Sequence, residues 1–337
     1  MVDGLVTYER PREATTVAEG WVVPGLVDAH CHVGLDQAGG VDEAEQERQI
    51  TADRDAGALL IRDAGVPVDT RWIDERPDLP RVIRAGQHIA RTKRYIRNYG
   101  VEIEPPDLVA EVERQAGRGD GWVKLVGDWI DRDAGDLTPC WPTADAAAAI
   151  ARAHELGVRV TAHCFGEQSV AELVAAGIDC IEHGTGLDDA TIQTMAELGT
   201  ALVPTRVQID NFPAYASAGR ERFPAYARHM LALHDRVDAT LRSAHDAGVP
   251  IYAGTDAGGV LPHGLVGREV LALHRQVGLP PEVALGGGSW AARAWLGRPA
   301  LGEGDPADLV VYAADPRTDP DTLTSPRCVI LRGRVLA

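Results

Sequence analysis

The stretch GLVDAHCHVGL, beginning at Gly25, sets two histidines one residue apart at the end of an apolar run. Along an extended strand, residues i and i+2 face the same way, so His30 and His32 would present both imidazoles on one side of its carboxyl end. Paired imidazoles suit a metal ion, because a buried ring nitrogen otherwise needs a hydrogen-bonding partner of its own. A histidine-rich strand edge without metal is the plain alternative. Four other segments carry reactive residues in or at the end of strand-like runs: Lys124 in WVKLV, His163 in TAHCFG, His183 in IEHGTG and Asp256 in GTDAG.

Imidazole and carboxylate together suit zinc and similar divalent ions. A protonated lysine beside them would repel a cation, so Lys124 must be neutral or modified. A lysine amine that has captured carbon dioxide is a carbamate, negatively charged, with two oxygen donors able to bridge two metals. Two ions about 3.5–4 Å apart can hold a hydroxide between them and polarise a carbonyl. Asp256 could bind one ion, take a proton from the nucleophilic water and pass it to the leaving group. Asp256 and His183 are the candidate catalytic residues, within a metal set of His30, His32, Lys124, His163, His183 and Asp256.

The elements needed to gather these residues are legible. LVDAHCH (from Leu26), ALLIRDAG, RVIRAG, WVKLVG, VRVTAHC, IDCIEHG, ALVPTRV and PIYAGTD make eight strand candidates, most separated by helix patterns that often end in glycine. Near-continuous apolar strands alternating with helices indicate a parallel sheet covered by helices. Eight such units favour an α/β fold of the (β/α)8 TIM-barrel type, whose active site lies at the carboxyl ends of the strands. The two ends of the chain differ. GLVTYE and EGWVVPG at the start, and ADLVVYA and CVILRGRVLA at the finish, are short strands separated by turns. They are expected to form a small composite β-domain over residues 1–24 and 302–337, beside a barrel over 25–301.

Composition narrows the partners. The 337 residues are 45% hydrophobic and 25% charged, an ordinary globular profile with ample material for a large core. A net charge of −17 argues against nucleic acid and anionic membrane surfaces as partners. No apolar run approaches the ~20 residues of a membrane span, and the first residues lack a signal-peptide core. Five cysteines without framework spacing suggest a reducing compartment, hence a cytoplasmic protein. Cys31 and Cys164 read as small buried residues. Self-association stays open.

The motifs PGLVDAHCH, WVKLV, TAHCFG, IEHGTG and GTDAG, with HGLVGREVLALHRQVGLPPEVAL and GDPADLVVY, resemble the amidohydrolase superfamily in its imidazolonepropionase-like and prolidase-like branch. The resemblance spans nearly the whole chain. It implies that His30, His32 and Asp256 hold one metal, that His163 and His183 hold a second, and that Lys124 bridges them as the carbamate, with zinc the expected ion. It also implies hydrolysis of a C–N bond in a small amide, cyclic amide, N-acyl amino acid or dipeptide. A lactone, a phosphoester or a deamination would use the same fold and metals, and a metal-binding protein without turnover is a further alternative. The N-terminal portion is shorter than in relatives. Where those often have a glycine-glycine-histidine turn, this chain has RTKRYIRNYG.

That loop packs Arg91, Lys93, Arg94 and Arg97 into an otherwise acidic chain. It is either a solvated basic face or a clamp that pairs an arginine with a substrate carboxylate. Tyr95 and Arg97 are the chosen contacts, with Arg206 beyond the seventh strand and His263 in GGVLPHG as further substrate-binding candidates. His88 is evenly balanced between substrate contact and structure. Asp63 reads as a buried hydrogen-bonding carboxylate. His154, His229, His234, His245 and His274 lie in helical patterns and read as packing or surface residues.

Overall fold

The computed structural model describes residues 1–336. The chain opens with β1 (Trp21–Pro24) and β2 (Leu26–Cys31), then a short ribbon of β3 (Leu35–Asp36) and β4 (Gly39–Gly40). Helix α1 (Glu43–Asp55) leads to β5 (Ala58–Asp63), followed by β6 (Arg81–Arg84), β7 (His88–Arg91) and β8 (Gly100–Ile103). After α2 (Leu108–Ala116) come β9 (Trp122–Val126) and the hairpin of β10 (Asp128–Asp131) and β11 (Asp136–Pro139). Then α3 (Thr143–Glu155), β12 (Arg159–Cys164), α4 (Glu167–Ala175), β13 (Cys180–His183), α5 (Asp189–Leu198) and β14 (Ala201–Val203) alternate regularly. Helices α6 (Arg206–Ile209), α7 (Phe212–Gly219), α8 (Pro224–Asp246), α9 (Val266–Arg275), α10 (Pro281–Gly287) and α11 (Trp290–Trp295) precede β15 (Leu309–Tyr312), β16 (Cys328–Leu331) and β17 (Arg334–Val335).

This is an α/β fold built on a parallel six-stranded sheet, β14-β13-β12-β9-β7-β8, and a parallel three-stranded sheet, β2-β5-β6. The strands are apolar runs because they are covered on both faces; every residue of β2, β5, β9 and β13 is buried. Helix starts follow local chemistry. Asp42 caps α1 by accepting from the Glu45 N–H, Asp188 caps α5 from the Thr191 N–H, and Gly199 ends α5 in the left-handed region.

The eighth expected strand, PIYAGTD, is not a regular strand. Ile251 bridges Leu202 of β14, the Ala29 N–H of β2 donates to the Ala253 carbonyl, and Ala257 bridges Cys31. The segment therefore runs between the two sheets. Its ladder breaks where Thr255 and Asp256 both donate backbone N–H groups to the His30 carbonyl. Gly254 is required there, because a Cβ would sit 2.7 Å from His30 Cβ and 2.5 Å from a Val203 methyl.

A second difference lies after the third expected strand. Arg91–Gly100 is not a plain loop on a strand end; it joins two parallel strands, β7 and β8, absent from the sequence reading. Beside the parallel sheets, the N- and C-terminal segments meet in an antiparallel sheet, β1-β15-β16-β17, in register from Trp21 opposite Tyr312 to Pro24 opposite Leu309. No helix among the described residues is long and apolar enough to cross a membrane.

Candidate metal centre

Register brings the reactive side chains together. Thr161 of β12 lies opposite Lys124 of β9, and His163 lies opposite Glu182 of β13. Paired residues share a face, so Lys124, Thr161, His163 and Glu182 line one side of the sheet. Strand alternation would send His183 to the other side. A left-handed backbone at His183 (φ 65°) turns it back, and Thr205 (φ 48°) and Asp256 (φ 58°) share this uncommon conformation. Each costs about 1–3 kcal/mol, a strain that clusters at functional sites.

Two sets of donor atoms result. His30 Nε2 and His32 Nε2 lie 3.2 Å apart, and each is 3.1 Å from Asp256 Oδ1. His163 Nδ1 lies 3.0 Å from His183 Nε2, and the His30 and His183 rings are 5.3 Å apart. The outer nitrogens are held from behind. His32 Nδ1 donates to the Gly65 carbonyl at 2.9 Å, which in the neutral ring leaves the Nε2 lone pair facing Asp256 and His30. His183 Nδ1 meets Thr205 Oγ1 at 2.7 Å.

Electrostatics favour ligation. Burial pushes His30 down to about 4 and His183 down to about 3, with Lys124 adding in the same direction. Burial, then His183, holds His163 well below its usual value. Neutral imidazole is the form that binds metal. Burial would raise Asp256, but His30 and His32 hold it well below the usual carboxylate range. The donor set therefore fits divalent ions: neutral imidazoles and an ionised carboxylate, with the paired ring nitrogens 3.2 Å and 3.0 Å apart.

Glu182 is the residue that sequence reasoning missed. Its carboxylate pairs with Lys124 Nζ, stands 3.3 Å from Arg62 Nη2 and accepts from Thr161 Oγ1 at 2.8 Å. All three side chains are buried. The available signal was an acidic residue inside the apolar run CIEH, which must find cations or donors. His88 is also buried, stacked 4.9 Å from His32, with neither ring nitrogen hydrogen-bonded among the described residues.

A cavity of about 480 Å³ opens above His32, His163 and Asp256. Its walls are largely aromatic: Tyr95, Tyr99, Trp129, Phe165, Tyr215 and Phe223 contribute, and Arg222 lies at the edge. Of the expected substrate contacts, the structure brings only Tyr95 here, 4.8 Å from Trp129 and 5.7 Å from His163 between ring centroids. Arg97 is exposed and does not line this cavity. Arg206 does not line it either; its guanidinium is taken by Asp238 and Asp210, each at 2.6 Å. His263 is engaged with Asp53 at 2.7 Å and borders a separate groove. Arg94 is structural as well, tying down the β10–β11 hairpin through Asp131 and the Trp129 and Thr138 carbonyls.

Parallel sheets thus gather histidines and an aspartate at their carboxyl ends, in a group that could hold a metal ion. The chain belongs to the Amidohydrolase family, which it matches over residues 110–336, and is a hydrolase acting on carbon–nitrogen bonds. An uncharacterized protein of Mycobacterium tuberculosis is 54% identical over 99% of this chain and 90% of its own length. The imidazolonepropionase of Chromobacterium violaceum is 26% identical over 87% of this chain and 76% of its own. A solved Xaa-Pro dipeptidase with bound methionine superposes with a TM-score of 0.80 at 24% identity, covering 94% of this chain and 86% of that one.

Proposed function

We propose that this chain is a binuclear metal-dependent amidohydrolase that cleaves an amide or cyclic amide C–N bond in a small substrate bearing a carboxylate. In this reading residues 25–301 form a (β/α)8 barrel, and residues 1–24 with 302–337 form a composite β-domain. The observation that carries it is the convergence of two donor sets, His30–His32–Asp256 and His163–His183, at the floor of one cavity. The similarity to an imidazolonepropionase and a dipeptidase fold points the same way.

His30, His32 and Asp256 would hold one ion, His163 and His183 the other, with zinc the expected metal. Bound divalent ions supply a water of lowered pKa and a Lewis acid for the carbonyl oxygen. Charge supports a modified Lys124. At the centre of the site Arg62 and Lys124 share the Glu182 carboxylate, while Asp256 faces His30 and His32. Two divalent ions would leave this dry region strongly positive. Carboxylation of Lys124 would replace a cation by an anion and add two oxygen donors. Asp256 is placed to hold and move a proton: its Oδ1 faces both histidines, and it lines the cavity where a substrate nitrogen would depart. The surrounding aromatic side chains keep bulk water away.

Metal analysis of protein purified without added metal, with intact mass under mild conditions, tests this. About two ions per chain, lost together in Lys124→Ala with the mass of one carbon dioxide, is the expected result. One ion per chain, unaffected by that change, overturns the bridge.

A further inference from the structure

Strand β2 has two sides, and the hydrolytic centre uses one of them. His30 and His32 face that side. The residue between them, Cys31, points to the other, where it shares a buried cluster with Ile50 of α1 and with Ala257. Two more reactive side chains reach the same place from distant parts of the chain: Asp53 from α1, and His263 from the loop that follows Asp256. Cys31 Sγ, a carboxylate oxygen of Asp53 and a ring nitrogen of His263 all lie within 4.8 Å of one another. None of the three belongs to the hydrolytic centre.

Packing alone does not account for this trio. His263 Nδ1 donates to Asp53 Oδ2 at 2.7 Å, but Nε2 is buried with no hydrogen-bonding partner among the described residues. Only 4% of that side chain is exposed, and an unmet polar atom in such surroundings costs about 1–3 kcal/mol. The region is also electronegative. Burial, then Asp28, Asp53, Asp63 and Asp256, push the Cys31 thiol well above its usual range. A cation placed there would be met by those charges and would displace the thiol proton. Thiolate, imidazole and carboxylate are the donors zinc takes in four-coordinate sites, and bonds of about 2.0–2.3 Å set such donors roughly 3.3–3.8 Å apart. The groove of about 560 Å³ that His263 borders also has Asp36 and Glu45 in its lining, which gives an ion an acidic way in.

We infer that Cys31, Asp53 and His263 form a separate, thiolate-containing zinc site on the far side of β2 from the hydrolytic centre. A water completes the four donors. Binding forms metal–sulfur, metal–nitrogen and metal–oxygen bonds and releases to water the thiol proton and any proton on the ligating ring nitrogen; nothing is oxidised. An ion here ties α1 and the loop after Asp256 to the back of β2. Ala257 bridges Cys31, so the same ion also fixes the backbone beside Asp256.

The test uses the full chain, stripped with chelator and reloaded with cobalt(II). Cobalt–thiolate bonds give a strong near-ultraviolet charge-transfer band that imidazole and carboxylate bonds do not. The hydrolytic centre has no sulfur donor, so the band reports this site alone and the two readings fail separately. The expected result is the band in the wild type, its loss in Cys31→Ser, and its loss, or a drop of about 10-fold or more in cobalt affinity, in Asp53→Asn and in His263→Gln. No band in the wild type, a band kept in Cys31→Ser, or a band and affinity unchanged in either of the other variants overturns the inference. Where a variant does not fold, X-ray absorption of the zinc-loaded wild type decides: a zinc–sulfur shell at about 2.3 Å supports the site, and a shell of nitrogen and oxygen alone overturns it.

Discussion

Glu182→Gln in the metal-free protein tests the buried charge balance most directly. Glu182 is fully buried and faces Lys124 Nζ, Arg62 Nη2 at 3.3 Å, Thr161 Oγ1 at 2.8 Å and His30 Nδ1 at 3.6 Å. The amide keeps an acceptor for Thr161 but removes the one negative charge shared by two buried cations, and it points an N–H group at other donors. Breaking a buried pair by neutralising one partner costs about 3–5 kcal/mol. The retained Thr161 bond places this case near the lower end, about 3 kcal/mol. Lys124→Met removes a cation instead and leaves Glu182 with Arg62 and Thr161, so its cost should be smaller, about 1–2 kcal/mol. Urea unfolding followed by circular dichroism, with the slope checked for constancy, gives both values. The ordering is the decisive part. If Lys124→Met costs more than Glu182→Gln, or if Glu182→Gln costs less than about 0.5 kcal/mol, Glu182 is not what balances the buried cations.

Three further outcomes are expected. Zinc added to chelator-treated protein should stabilise it by about 4 kcal/mol once free metal exceeds Kd a thousandfold; a melting temperature indifferent to zinc would refute a resident metal. His229, pinned between Glu167 and Asp136 at 2.9 Å each, is raised to about 9, first by Glu167. Its stabilising contribution is complete below its ordinary value and lost as pH rises through about 9. Partial exposure screens that contribution to about 1 kcal/mol, so the wild type should lose this much more than His229→Gln between neutral and alkaline pH, and equal losses would exclude the clamp. Gly258 has φ +112°, and a Cβ there would come within 2.3 Å of the His32 carbonyl. Gly258→Ala should therefore cost about 2 kcal/mol or more and lower metal content; unchanged metal content and unfolding midpoint would show the backbone is free to move.

What the chain reveals without coordinates follows from which rules are local. His30 and His32 face one way because alternation along a strand is a property of neighbours, and the β2 run was apolar enough to declare itself. The same rule taken alone would have turned His183 outward. Its inward direction depends on a left-handed backbone that no pattern in IEHG announces. Glu182 was missed for the complementary reason: its role comes from register with β12, a long-range pairing. The eighth strand read as regular because PIYAGTD has strand composition, yet two backbone donors share the His30 carbonyl and break the ladder there.

Substrate recognition shows the limit in its plainest form. In the dense positive run RTKRYIRNYG, charge density says neither what a guanidinium is already bound to nor which cavity it lines. Arg94 is neutralised by Asp131, which is far along the chain and brought near only by the hairpin. Arg206 was different. Its partner Asp210 stands four residues on, at the spacing that places two side chains on one helical face, so that pair was open to inspection in RVQID. Arg222 sits in a modest GRERFP stretch, and only the fold shows that it lacks a carboxylate partner and lines the cavity. What an ionic residue is bound to, and which cavity it lines, are both properties of the folded chain.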